Sequence, residues 1–322
     1  VIFHRDEIPS DLLPYFVRAE IGLEPTPDEF VAAMVGVFRE VRRVLRDDGT
    51  LWLNLGDSYN NSDKWGGGGN VGKNTVAEDG TVPSWQVRAK RPKMEGLKPK
   101  DLIGIPWRVA FALQADGWYL RQDIIWSKPN PMPESVQDRC TKAHEYIFML
   151  SKSPRYYYDI EAIKEPMSLS SVERLGQDVE SQSGSARVPG KTNGNMKAVG
   201  KIDKQRGHGR RHAGFNDRWD AMEKDEQCSG MRNKRSVWTV ATQPFSEAHF
   251  ATFPPSLIEP CILAGTPAGG VVLDPFGGAG TTGLVADRLQ RDAILIELNP
   301  EYATMAERRI FNDAPLFAVD AA

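Results

Sequence analysis

Several absences narrow the field before any motif is considered. The 322 residues contain three cysteines, Cys140, Cys228 and Cys261. They are scattered and odd in number, so they fit neither a disulfide framework nor a zinc-ligand spacing, and no metal site is expected. No run approaches eighteen consecutive apolar residues, which excludes an α-helical membrane span from the sequence. The opening VIFHRDEIPSD is charged and has none of the apolar core of a secretory signal. A reducing cytoplasm is the expected setting. No internal repeat is visible, and the first residue is Val rather than Met, which suggests a fragment.

Net charge is also small, −3 from 40 basic and 43 acidic residues. Its distribution is uneven. Residues 183–235 carry 13 Lys/Arg against 6 Asp/Glu, a local +7, so the remainder of the chain sums to −10. An acidic body with a basic appendage fits a nucleic-acid partner, and a solvated, structureless insertion fits the composition equally well.

The body reads as alternating helices and strands. Over 28–46 apolar residues fall at Phe30, Met34, Val37, Phe38, Val41 and Leu45, one stripe of a helix that follows Pro27 and ends at Asp47-Asp48-Gly49. A strand is expected in TLWLNLGDSY (50–59), a helix over 101–117, and buried strands over 118–129 and 144–153 with PNPMPES between them. Later come SVWTV (236–240), a helix over 254–264, a strand at 270–274, a helix over about 280–290, a strand at 293–298 and a last helix from Pro300, capped by Asn299. This order predicts an α/β fold, a doubly wound, mostly parallel Rossmann-like sheet with basic insertions. The expected organisation is a main domain of 1–165 and 236–322, interrupted by a flexible basic insertion at 60–100 and by a second basic insertion at 166–235.

The richest stretch is VVLDPFGGAGTTGLVADRL (271–289) followed by AILIELNPEY (293–302). An apolar strand ends in Asp274, and Gly277, Gly278 and Gly280 allow close approach of backbone amides to a ligand before a helix begins. The next strand ends in Glu297, placed to accept hydrogen bonds from both hydroxyls of a ribose. The spacing also satisfies a dinucleotide GxGxxG pattern, a weak signal by itself. A carboxylate before the glycines suits an ammonium better than a pyrophosphate, and only 25 residues follow Glu297, too few for the remaining strands of a dinucleotide fold.

DPFGGAGTTG resembles the cofactor motif of the S-adenosylmethionine-dependent DNA methyltransferases that modify the exocyclic amine of adenine (N6) or cytosine (N4), and IELNPEY resembles the acidic motif that follows it. The order of parts is similar to the permuted class, with the catalytic half before the cofactor half. LWLNLGDSY, DIIWSKPNPMPES and HEYIFMLSKSPRYYY resemble its phage and prophage members. The likeness spans about 20–165 and 232–312. It implies that S-adenosyl-L-methionine is bound by Asp274, Phe276, Gly278, Gly280, Thr281, Glu297 and Asn299. HFATFPPSLIEPCILAG (249–265) resembles the preceding motif, His-Pro-x-x-Lys-Pro before a helix: His249 and Pro254 match, while Phe250 and Phe253 do not. Thr252 and Phe253 would wall the cofactor site.

The same resemblance implies a catalytic segment of an Asp, Asn or Ser followed by Pro-Pro and an aromatic residue, which accepts hydrogen bonds from the target amine and stacks on a flipped base. Before Ile21 only Leu13-Pro14-Tyr15 is similar, with Ser10 and Asp11 misplaced, and the strand that would lead into the motif is missing. Pro14 and Tyr15 are the residues nearest to that role, with Asp57 at a strand end as a further base-facing residue. Lys128, Pro129 and Asn130, at another strand end, are expected near the DNA backbone.

The function implied is site-specific methylation of double-stranded DNA, with region 166–235 recognising the target, and a cognate restriction nuclease as a possible partner. The alternative is a truncated or inactive DNA-binding remnant that keeps the cofactor. A methyltransferase acting on RNA or a small molecule is a third reading. Residues 183–216, with eight basic residues against one Asp, are expected to order on DNA.

Overall fold

Helix α1 (Pro27–Val44) begins where its chemistry places it. The Thr26 side chain accepts from the Glu29 amide at 3.2 Å, Pro27 opens the helix, and Asp28 and Glu29 occupy the first turn with Arg42 and Arg43 in the last. Met34, Phe38 and Val41 from the expected stripe are buried. In the computed structural model the described residues are 2–3, 21–60, 96–175, 230–243 and 252–313. By contacts the chain divides into two units, Val1–Asp159 with Arg235–Ala322, and Ile160–Lys234.

In the first unit, strand β1 (Ile2–Phe3) opens the chain and β2 (Thr50–Leu55) follows α1. Helix α2 (Ile105–Ala115) is shorter than the 101–117 expected. Leu102 instead bridges Tyr59, Gly104 is left-handed, and Pro106 sits in the first turn, so the helix cannot begin earlier. It closes as a Schellman motif: Gly117 (φ +103°) donates to the Gln114 carbonyl at 3.2 Å and Trp118 to that of Leu113 at 3.1 Å. Strands β3 (Tyr119–Ser127) and β4 (His144–Ser151) come next.

The α1 stripe packs on Leu53 of β2, on Val109, Ala110 and Leu113 of α2, and on Trp118, Phe148 and Leu150. Phe38, Leu113, Phe148 and Leu150 are the largest fully buried members, each contributing roughly 1.5–3 kcal/mol.

Beyond the second unit lie β7 (Val237–Thr239), helix α4 (Pro255–Gly265), β8 (Val271–Asp274), α5 (Thr281–Arg288), β9 (Asp292–Ile296) and α6 (Pro300–Asp313). One sheet, ordered β1-β9-β8, is parallel throughout, pairing Val271 with Asp292 and Asp274 with Leu295. The other, ordered β2-β4-β3-β7, is mixed. Strand β7 runs parallel to β3, but β4 runs antiparallel to both β2 and β3. Residues 128–143 contain no helix, and a parallel return needs a crossover of a dozen or more residues, usually helical, so β4 comes back antiparallel. Among the described residues, the second edges of β2 and β8 have no strand partner.

Ile2 and Phe3 pair parallel with Leu295 and Ile296, so a short strand precedes residue 21, on the side of β9 away from β8. Pro14 and Tyr15 lie outside the described residues, as do Ser10 and Asp11.

In the second unit, β5 (Glu165–Pro166) and β6 (Met231–Arg232) form an antiparallel pair held by the Arg232–Glu165 ion pair at 2.9 Å, and α3 (Leu169–Leu175) follows β5. The basic stretch 183–216 lies outside the described residues, as do 61–95 of the earlier insertion. The ends of that insertion meet at Asn60, whose side-chain amide donates to the Leu97 and Lys98 carbonyls at 3.3 and 3.0 Å. No described helix is long and apolar enough to cross a membrane.

Candidate cofactor site

The Gly-rich turn after β8 is folded against β9 and α6. The Gly277 amide donates to the Ile296 carbonyl at 2.8 Å, and Gly280 to that of Gly277 at 2.9 Å. Gly280 is left-handed (φ +74°), and a Cβ there would stand 2.7 Å from the Ala306 Cβ of α6. Glycine is therefore required at this position by both backbone and space. Arg309 of α6 reinforces the turn, donating to the Ala279 carbonyl and to the Thr281 hydroxyl, both at 2.9 Å.

Two carboxylates flank this turn at the carboxyl ends of β8 and β9. Asp274 accepts from the Phe276 amide at 2.9 Å and from the Thr282 hydroxyl at 2.5 Å. Burial holds its pKa above the ordinary carboxylate range; the two hydrogen bonds pull the other way, and the nearby Glu297 adds to the rise. Glu297 accepts from the Gly278 amide at 2.7 Å with one oxygen and from the Asn299 amide at 2.9 Å with the other. Asn299 in turn caps α6, accepting from the Glu301 amide at 2.9 Å. Phe276 remains 46% exposed, its ring edge-on to Phe38 with centroids 6.2 Å apart.

These residues fit a ligand that is cationic at one end and carries a diol. Asp274 is a half-buried carboxyl group with no cationic partner among the described residues. Each Glu297 oxygen accepts one amide and retains capacity for a second donor. Both features match S-adenosylmethionine, whose methionine end is positively charged and whose ribose offers two hydroxyls.

Asp274, Phe276, Gly278, Gly280, Thr281, Glu297 and Asn299 thus gather at one turn. Thr252 and Phe253 line a cavity of about 320 Å³ with Gln243, Leu284 and Arg309, and that lining includes neither Asp274 nor Glu297. They share with the turn the Arg309 side chain that holds Ala279 and Thr281.

Asp57, expected to face the base, is engaged within the fold by one oxygen. Its Oδ1 accepts from the Ser58, Gly104 and Ile105 amides at 2.9, 3.0 and 3.1 Å, so the carboxylate caps the start of α2. Lys128 and Asn130 are also engaged within the fold. Lys128 pairs with Glu145 and lies 4.2 Å from the Trp126 ring centroid. Asn130 clips the segment after β7, donating to the Thr242 carbonyl at 3.2 Å and accepting from its amide at 2.9 Å. At the same edge, burial lowers the pKa of Lys142, opposed by the charges of Asp57 and Glu145.

Sequence reasoning missed Thr282 and Arg309. The first is eight residues beyond Asp274 and meets it only because the turn folds back; the second reads as one more charge on an amphipathic helix.

The DNA methylase family model covering N6 and N4 methyltransferases matches residues 13–308. The type II methyltransferase M.Cfr9I of Citrobacter freundii is 44% identical over 299 residues, covering 93% of this chain and 77% of that protein. M.SmaI of Serratia marcescens is 43% identical, covering 93% and 80%. The solved PvuII DNA methyltransferase, cytosine-N4-specific, is 19% identical with a TM-score of 0.49, covering 95% of this chain and 76% of the other. With the family matched over nearly its whole length, the chain belongs to the N6/N4 DNA methylases, S-adenosylmethionine-dependent enzymes that methylate an exocyclic amine of DNA.

Proposed function

We propose that S-adenosylmethionine is held at the carboxyl edge of β8 and β9. In this reading Asp274 takes the charged methionine end, Glu297 takes the ribose hydroxyls, and Phe276 lies against the adenine. Gly278, Gly280, Thr281 and Asn299 shape the floor, and Thr252 and Phe253 form the far wall. The observation that carries the reading is the pair of carboxylates on adjacent strand ends, one half-buried without a cation among the described residues and the other aligned by two backbone amides. The bound cofactor supplies an electrophilic methyl group; the chain's part at this edge is to hold and orient it.

The second unit, Ile160–Lys234, is proposed as the target-recognition region, its basic residues 183–216 neutralising phosphates. The type II designations of M.Cfr9I and M.SmaI support a cognate restriction nuclease as the cellular counterpart.

The test is calorimetric titration of S-adenosylmethionine into the protein and into Glu297→Ala. Loss of hydrogen bonds to a charged group, worth about 1.5–3 kcal/mol each, should weaken binding about tenfold or more. Equal affinities would remove Glu297 from the site. Binding of NAD in place of S-adenosylmethionine would overturn the assignment of the turn.

A further inference from the structure

Asp274 presents an electrostatic problem that the cofactor reading leaves open. A carboxylate removed from water loses several kcal/mol of hydration unless charge or hydrogen bonds replace it. Among the described residues the charged groups around it are few. Glu297 at the end of β9 is of like sign. Arg309, reaching in from α6, is bonded to the Ala279 carbonyl and the Thr281 hydroxyl. On α5 itself Arg288 pairs with Asp313 of α6. From α1 the neighbour of this turn is the apolar Phe38, against Phe276.

What holds Asp274 is therefore a pair of neutral donors, one on each oxygen. The Phe276 amide serves Oδ1 and the Thr282 hydroxyl serves Oδ2. The backbone donor is fixed by the turn, whereas the second belongs to a side chain in the first turn of α5, 8% exposed and 2.5 Å from its acceptor. A hydroxyl can donate only one hydrogen, so Thr282 gives its donor capacity to this contact. With both oxygens engaged the carboxylate has a single orientation, and each oxygen retains one acceptor position.

We propose that Thr282 is a positioning residue for cofactor recognition: its hydroxyl fixes the Asp274 carboxylate so that the remaining acceptor positions receive the ammonium of the methionine end. This rests on the assignment of the cofactor to the β8–β9 edge. Thr282 never touches the cofactor in this arrangement and acts through Asp274 alone. Without it, burial favours the protonated carboxyl, which attracts no ammonium and is free to rotate. The deficit is greatest in acidic solution and closes as rising pH restores the carboxylate.

The experiment titrates S-adenosylmethionine calorimetrically into the full chain and into Thr282→Val, Thr282→Ala, Thr282→Ser and Asp274→Asn, from mildly acidic to mildly alkaline buffer. Thr282→Val should bind about ten- to a hundredfold more weakly at neutral pH, the range for losing a hydrogen bond to a charged group. The loss should shrink in alkaline buffer, and Thr282→Ser should bind much as the unmodified protein does. In an Asp274→Asn background, Thr282→Val should add nothing. Thr282→Ala guards against a Val variant that does not fold and must show the same pH dependence. If Thr282→Val or Thr282→Ala binds like the unmodified protein across the range, the proposal is overturned. It is equally overturned if the loss is the same at every pH and persists beside Asp274→Asn, because Thr282 would then be supporting the helix and not the carboxylate. Should the unmodified chain fail to bind, or Asp274→Asn bind as well as it does, the assignment of the edge itself falls; loss in Asp274→Asn and Glu297→Ala without loss in the Thr282 variants removes only this proposal.

Discussion

Gly280→Ala is the change that most directly probes how the cofactor turn is built. Two independent penalties can be worked from the geometry. The residue is left-handed at φ +74°, a conformation that costs an L-residue about 1–2 kcal/mol. The new Cβ would also stand 2.7 Å from the Ala306 Cβ and 3.0 Å from its Cα, forcing α6 away from the turn, and overpacking of this kind costs about 1–3 kcal/mol. Together they predict a loss of roughly 2–5 kcal/mol. Ala306→Gly separates the two contributions. Alone it lowers stability by about 1 kcal/mol, the helix penalty of glycine. Combined with Gly280→Ala it removes the nearer contact, so the double variant should be less destabilised than the sum of the single ones by about 1 kcal/mol or more. Urea denaturation followed by tryptophan fluorescence measures all three. Strictly additive losses would show that α6 does not press on the turn, and a Gly280→Ala loss near zero would refute the left-handed conformation as well.

Asp57→Ala should lower stability by about 1 kcal/mol, the usual cost of a lost cap, and leave cofactor affinity unchanged; a large fall in affinity by calorimetry would place Asp57 in the functional site. Deleting residues 183–216 should weaken DNA binding and flatten its dependence on salt while sparing the cofactor, and an unaltered slope in fluorescence anisotropy would make that stretch a passive linker. Because the Asp274 pKa is raised by burial, there is a pH window just above the ordinary carboxylate range in which the folded chain holds a proton there that the unfolded chain has released. Stability measured against Asp274→Asn should therefore fall as pH rises from the ordinary carboxylate range through the raised value; a rise over that window would contradict the burial.

Much of this was legible before any coordinates. The α1 stripe from Phe30 to Leu45, the strand ending at Asp274 and the cap at Asn299 are local patterns, and the fold preserves them. The α/β class followed from their alternation, and the family from the motifs around Asp274 and Glu297. The direction of β4 was not legible as residues were read one by one, since it depends on a connection of 128–143 that has no helix to carry a crossover. The capping contacts of Asp57 were not legible for a related reason. A carboxylate at a strand end reads as functional, and nothing local reveals that the α2 amides of Gly104 and Ile105, more than forty residues on, will claim it. The Thr282–Asp274 contact is invisible to spacing rules because the glycines between them have no fixed periodicity to extrapolate.

Among the described residues no strand pairs with the second edges of β2 and β8, which carries a further consequence for the handling of this protein. Along such an edge the backbone amides and carbonyls have no ladder to join, and an extended segment of another molecule satisfies them as well as a native strand does. Thr50–Leu55 reads TLWLNL, six residues with neither charge nor proline to discourage that addition. The gatekeepers that usually guard such an edge stand only beyond its ends, in Asp47-Asp48 before it and Asp57 after it. Crowded preparations should therefore lose protein through strand-to-strand templating, and a lysine at an edge-facing position of β2 should slow that loss more than any added surface charge elsewhere.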